Sequence, residues 1–205
     1  MRGERVAVWV GEKRPGRPNA TLNSAKVKIP GLSQETRQAR GNVKGILRRR
    51  NRTGMDITWL THQIAVGGGI WNAENMAKVA EEGITHIIDM QIEFDDTALA
   101  AKHDIAVLWN PTDDDFDEKP AELFRRGVDF ARQALASNDA KVFVHCAAGV
   151  HRAPMMALAL LGSMGWELKD AMDLIERKRP VADFADVYVE SVEKFLDGQQ
   201  IPPRR

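Results

Sequence analysis

The sequence predicts an α/β domain. Five short runs rich in β-branched and aromatic residues read as strands: Ile57 to Leu60, Ile64 to Val66, Thr85 to Met90, Ile105 to Trp109 and Val142 to Val144. From the second onward they alternate with stretches of helical pattern, and glycine or proline separates most of the segments. Such alternation is the pattern of helices packed on a sheet.

Before the first of these strands lies a segment of different character. Val6, Val8 and Val10 alternate with other residues and predict a short strand, which Gly11, Pro15, Gly16 and Pro18 end. Residues 31–54 have few large apolar side chains and finish in Arg48-Arg49-Arg50-Asn51-Arg52. Such a run reads as a solvated charged segment, or as a contact for nucleic acid, acidic glycan or anionic lipid; it has no aromatic residue to stack on bases. The chain's net charge is zero, yet residues 1–54 hold fourteen Lys/Arg against three Asp/Glu, so they carry +11 and the remainder −11. The expected division is a basic extension (1–54), a catalytic domain (55–198) and a flexible tail (199–205). A length of 205 residues with 43% apolar composition suits one sizeable core.

Taken in order, the domain opens with strands 57–60 and 64–66, ended by Gly67-Gly68-Gly69. That triplet lacks the spacing of a dinucleotide loop and reads as a turn. Asn72 is placed to cap a helix through about Glu82, with Gly83 closing it. After the buried strand 85–90 come a short helix from Asp95 to Lys102 and the strand 105–109. Pro120 stands near the first turn of a long helix to about Ala136. Gly165 ends the helix that begins at Arg152. An amphipathic helix from Trp166 to Arg179 stops at Pro180, and its Arg177-Lys178-Arg179 end is explained by the helix dipole, with substrate contact as the alternative. A last helix spans Asp183 to Leu196. Trp109, Phe116, Trp166 and Tyr188 are expected mostly to pack, with Trp109 and Phe116 the best placed to line a substrate channel.

The chemistry gathers where strand 142–144 meets the helix at Arg152, through His145-Cys146-Ala147-Ala148-Gly149-Val150-His151. Small residues let this loop curl with its N–H groups inward, and the helix adds its positive end, so the turn suits a phosphate dianion and favours a thiolate at Cys146. Arg152 can fork two N–H donors onto phosphate oxygens. The plain alternative is a buried cysteine at a strand end and a solvated arginine. A metal site built from His145, Cys146 and His151 finds no further ligands at suitable spacing, so neither metal nor cofactor is expected.

His145-Cys146-x-x-Gly149-x-x-Arg152 resembles the signature of cysteine-dependent phosphatases of the dual-specificity branch, over roughly Ile57 to Leu196. The loop through Ala153-Pro154 is similar to that of plant glucan phosphatases, departing at His151; Ala153 stands where most members have Ser or Thr. The resemblance implies a central, mostly parallel sheet of about five strands flanked by helices. It also implies Cys146 as nucleophile, Arg152 and the loop amides of Ala147, Ala148, Gly149, Val150 and His151 as the phosphate site, and a supporting role for His145. An aspartate about thirty residues before the cysteine serves as general acid and then base. The Pro-x-x-Asp form and the spacing to Phe124 select Asp114, with Asp115 and Asp113 as alternatives.

The function so implied is metal-independent hydrolysis of phosphomonoesters through a phosphocysteine, on a phosphoprotein or phosphoglucan. An RNA 5′-phosphate, a phosphoinositide, a purely phosphate-recognising module and a rhodanese-type sulfur-transfer domain remain alternatives. A lone cysteine excludes an intramolecular disulfide and suits a reducing cytoplasm, and no apolar stretch reaches membrane-spanning length. The sequons at Asn19 and Asn51 are then accidental.

Overall fold

The structure, a computed structural model, describes residues 54–199. The basic extension, with its expected strand near Val6, and most of the tail lie outside them. Five strands form one sheet: β1 (Ile57–Trp59), β2 (Ile64–Gly67), β3 (His86–Asp89), β4 (Ala106–Trp109) and β5 (Val142–His145). Their order is β1-β2-β5-β3-β4. β1 pairs antiparallel with β2, and every other pairing is parallel. β5 is central, with His145 in register with Gly67 on one side and Asp89 on the other.

Among the described residues six helices flank the sheet: α1 (Ala73–Glu81), α2 (Thr97–Ala100), α3 (Ala121–Leu135), α4 (Arg152–Ser163), α5 (Leu168–Lys178) and α6 (Asp186–Asp197). Because successive strand residues face opposite ways, β5 feeds two cores. Val142 and Val144 join the core of α3, α4, α5 and α6, while Phe143 joins Ala65, Ile87 and the α1 residues Met76 and Val79. Burial on both faces accounts for the unbroken apolar character of Val142 to Val144. All twelve residues of α4 are buried, which explains why it lacks a polar stripe.

Local chemistry set the element ends. The Asn72 side chain accepts the Asn75 N–H at 2.8 Å, and Gly83 takes φ +77° just beyond α1. The expected helix 95–102 shrinks to Thr97–Ala100 because Asp95 is used in a turn, its Oδ1 accepting the Thr97 N–H at 2.9 Å. α5 starts at Leu168 rather than Trp166, since the Trp166 N–H closes the end of α4 by donating to Leu161 O at 3.2 Å. α6 starts at Asp186 rather than Asp183, whose N–H instead donates to Val150 O in the cysteine loop at 2.9 Å. The carboxyl ends of β2, β3, β4 and β5 all open on one edge, the usual place for a ligand site in an open α/β sheet. No helix among the described residues is long and apolar enough to cross a membrane.

Candidate active site

β5 ends at His145 and α4 begins at Arg152, so residues 146–151 form the tight link between a central strand and a buried helix. Cys146 is 1% exposed, and the Gly149 N–H donates to its Sγ at 3.2 Å. Gly149 takes φ +65°, and a Cβ there would lie 2.5 Å from Gly67 O, so only glycine fits this turn. Ala147 O accepts the Gly69 N–H at 3.1 Å, fastening the loop to the glycine triplet after β2. Ala148 is exposed, and Ala147, Val150 and His151 are half-buried.

Arg152 is 3% exposed, and its fork is already committed on one side. Nη1 donates to Glu93 Oε2 at 2.9 Å and Thr112 O at 3.1 Å, and Nη2 donates to Glu93 Oε1 at 2.7 Å. Nε has no hydrogen-bond acceptor among the described residues, lying 3.9 Å from Asp114 Oδ2. Burial disfavours the guanidinium charge, but the Glu93 hydrogen bonds and the charge of Cys146 outweigh it and raise its pKa above the ordinary value. The same hydrogen bonds hold the Glu93 carboxyl below the usual range. Glu93 therefore aims the guanidinium and leaves its Nε edge open.

The acidic loop after β4 sorts its aspartates. Asp114 reaches the cysteine loop: its Oδ2 lies 3.0 Å from His151 Nδ1, and its Oδ1 accepts from Tyr188 Oη at 3.2 Å. Asp115 turns away to Lys119, which lowers its pKa, and Asp113 is exposed. Phe116 has φ +60°, an uncommon conformation for a bulky residue, held because its N–H donates to Tyr188 Oη at 2.9 Å and its ring stacks on Tyr188 at 5.7 Å. Both residues expected at a channel are largely open: Trp109 is 44% exposed and Phe116 51%.

Behind the cysteine, His145 is fully buried with Asp96 Oδ2 at 2.9 Å from Nε2 and Asp89 Oδ1 at 3.7 Å. Those are ion-pair distances rather than aligned hydrogen bonds. Desolvation pushes the Asp89 carboxyl up to about 6, against the opposing pull of His145. One ligand atom from each of Asp89, Asp96 and His145 lies within 4.8 Å of the others, the one described group whose spacing could hold a metal ion. A proton on Asp89 relieves the same crowding of carboxylates without one.

At the end of α5, where the helix dipole was expected to account for the cations, Arg179 does more. Arg179 is 3% exposed and spends every donor inside the fold: Nε on Gly149 O at 2.6 Å, Nη1 on Asp56 Oδ1 at 2.8 Å and Thr58 Oγ1 at 3.2 Å, Nη2 on Asp56 Oδ2 at 2.7 Å and Ala148 O at 3.1 Å. It ties the cysteine loop to the edge strand, across more than 120 residues of sequence. Glu93, Asp56, Asp183 and Tyr188 were likewise absent from the sequence-based site. Their signals, a lone charge beside an apolar loop or a polar group on a core helix, occur at many positions of an ordinary chain.

Fold and loop together define an α/β phosphatase domain with its site on the carboxyl edge of the sheet. The family model "Dual specificity phosphatase, catalytic domain" matches residues 69–195, and the chain belongs to that family. It is 27% identical over 115 residues to Dual specificity protein phosphatase 5 of Rattus norvegicus, covering 56% of this chain and 29% of that protein. With Dual specificity protein phosphatase 16 of Homo sapiens it shares 38% over 71 residues, 34% of this chain and 10% of that protein. The chain thus spans under a third of the curated relatives it matches. Among solved structures, PTPMT1 in complex with PI(5)P superposes with a TM-score of 0.62 at 20% identity, covering 69% of this chain and 95% of that one. DUSP15 gives 0.60 at 22%, covering 69% and 88%. These likenesses extend to the fold.

Proposed function

We propose that the domain hydrolyses phosphomonoesters in two steps on Cys146. The carrying observation is that Cys146 and Arg152 bound one short loop and the Asp114 carboxyl reaches it from another, 3.9 Å from the open Nε of Arg152 and 3.0 Å from His151 Nδ1. In the first step the thiolate forms an S–P bond as the P–O bond to the leaving group breaks, and Asp114 gives that oxygen its proton. In the second, Asp114 takes a proton from water, which attacks phosphorus; the S–P bond breaks, releasing phosphate and restoring thiolate and acid. Arg152 and the loop amides of 147–151 balance the charge on the phosphoryl oxygens throughout. His145, packed between Asp89 and Asp96, supports the loop from beneath.

The substrate favoured is a phosphoprotein. The names of the two curated relatives, both protein phosphatases, support it, and the acidic loop 113–117 disfavours polyanionic lipids or nucleic acids at the mouth. A phosphoglucan is the second reading, favoured by the exposed Trp109 and Phe116 rings, which can lie against sugar faces. The +11 extension would supply contact to a polyanion outside the site, and the unpaired cysteine fits a cytoplasmic setting. The test is phosphate release from phosphotyrosine and phosphoserine peptides, amylopectin, phosphoinositides and 5′-triphosphorylated RNA. Turnover of peptides, abolished in Cys146→Ser and cut about 10²-fold or more in Asp114→Asn, is the expected result. Binding without turnover, or activity indifferent to Asp114→Asn, would contradict it.

A further inference from the structure

Resting on that reading of Asp114, we propose that His151 is the positioning residue of the acid–base step. The resemblance that identifies the loop offers no role for an imidazole at this position, and the structure gives it two carboxylate partners. Nδ1 lies 3.0 Å from Asp114 Oδ2, and Nε2 lies 3.3 Å from Asp183 Oδ2.

Each partner is itself held. Asp183 is seated against the loop by its N–H bond to Val150 O at 2.9 Å, one residue before His151. The edge of the imidazole packs on the Phe116 ring, centroids 5.1 Å apart and planes at 68°, and Phe116 in turn stacks on Tyr188 at 5.7 Å. Asp114 therefore meets a polar partner on each oxygen, the Tyr188 hydroxyl on Oδ1 and the His151 ring nitrogen on Oδ2. Of the two, Oδ2 lies nearer the phosphate-binding arginine, 3.9 Å from its Nε.

The chemical consequence bears on both steps of turnover: Asp114 must be aimed at the leaving oxygen when it gives up its proton, and must stay aimed afterwards. Once Asp114 has delivered its proton it is a carboxylate beside a phosphocysteine, and it must keep its orientation until water arrives. An Nδ1–H donated from the same loop that holds the phosphoryl group fixes that orientation through a charge-assisted hydrogen bond. Asp183, 70% exposed, contributes less: its carboxylate faces Nε2 and favours a hydrogen there, so the two carboxylates are served together only by a ring with a hydrogen on each nitrogen. His151 touches neither nucleophile nor leaving group in this account; it acts through Asp114.

The readout is the dependence of kcat/KM on leaving-group pKa across a series of aryl phosphates and one alkyl phosphate, using the full chain. In His151→Ala the rate falls about tenfold or more with the poorest leaving groups and changes little with the best, because weakened proton delivery matters only where the leaving oxygen needs it. His151→Asn, which returns an N–H near the Nδ1 position, recovers part of the loss. In an Asp114→Asn background, His151→Ala adds no further steepening. A uniform loss across the series, or full additivity with Asp114→Asn, assigns His151 to loop structure and overturns the proposal. Failure of the underlying phosphatase reading shows differently, as wild-type turnover that survives Cys146→Ser or is missing altogether. Even then nitrogen NMR of the His151 ring decides: an Nδ1 signal that Asp114→Asn leaves unmoved overturns the contact, and one that shifts upholds it.

Discussion

Two arginines, Arg152 and Arg179, border the same loop with equal burial, 3% exposed each, and opposite states of saturation. Each meets a carboxylate in a bidentate pair, Glu93 for the first and Asp56 for the second. Arg179 also spends its Nε on Gly149 O, while the Nε of Arg152 has no acceptor among the described residues. An arginine whose donors are all met inside the fold is a brace; one kept open on a single edge has a donor left for a bound anion, the role proposed for Arg152. Burial and charge alone do not separate the two.

The largest expected effect comes from the open one. Arg152→Lys keeps the charge but loses the fork, and kcat/KM for any phosphomonoester should fall about 10²–10³-fold, while the thermal midpoint moves far less. Steady-state kinetics beside thermal melts check both halves. A similar loss of stability and activity would erase the distinction drawn between the arginines.

Much of this contrast was hidden in the sequence. Cys146, Gly149 and Arg152 are legible because backbone geometry and charge demand those residue types at that spacing, with a buried strand before and a buried helix after. Asn72, Gly83 and Pro180 marked their helix ends for similarly local reasons. Arg179 was not legible, because what distinguishes a brace from an ordinary cationic helix end is its distant acceptors, Asp56 just before β1 and Thr58 on it. Glu93 and Tyr188 failed in the same way: their partners sit 59 and 74 residues away. Asp114 came from resemblance and spacing; the contacts that single it out from Asp113 and Asp115 are tertiary.

Breaking the brace should act first on stability. Arg179→Met leaves the carbonyls of Gly149 and Ala148 without that donor and is expected to cost about 2–4 kcal/mol, read from urea unfolding, with activity falling as the loop loosens. Asp56→Asn should cost roughly 1 kcal/mol or less, because the Asp56 side chain is 55% exposed and its pair is screened by water. Equal losses in the two variants would show that the ion pair, not the loop carbonyls, carries the brace.

A pH-dependent effect, confined to one window, belongs to the floor of the site. Asp89 is raised from 3.8 to about 6 by burial, so the folded state holds its proton more tightly than the unfolded state does. Its contribution to stability is full below about pH 4 and is lost as pH rises through about 6. Asp89→Asn should therefore flatten the stability profile between pH 4 and pH 7, by on the order of 2–3 kcal/mol, in unfolding curves measured across that window. An unchanged profile would mean that other groups set this dependence.

The central claim is that chemistry passes through a phosphoryl group on Cys146, beside an alanine that offers the departing thiolate no hydroxyl. Ala153 is fully buried at the start of α4, so breakdown of the phosphocysteine is expected to limit turnover and the intermediate to accumulate. The direct measurement is acid quench of the wild-type enzyme during turnover of an aryl phosphate, followed by mass spectrometry of its peptides. One phosphoryl group on the peptide containing Cys146, preceded by a burst of the aryl product and absent from Cys146→Ser, is the predicted result. Steady phosphate release with no burst and no modified Cys146 would contradict the account.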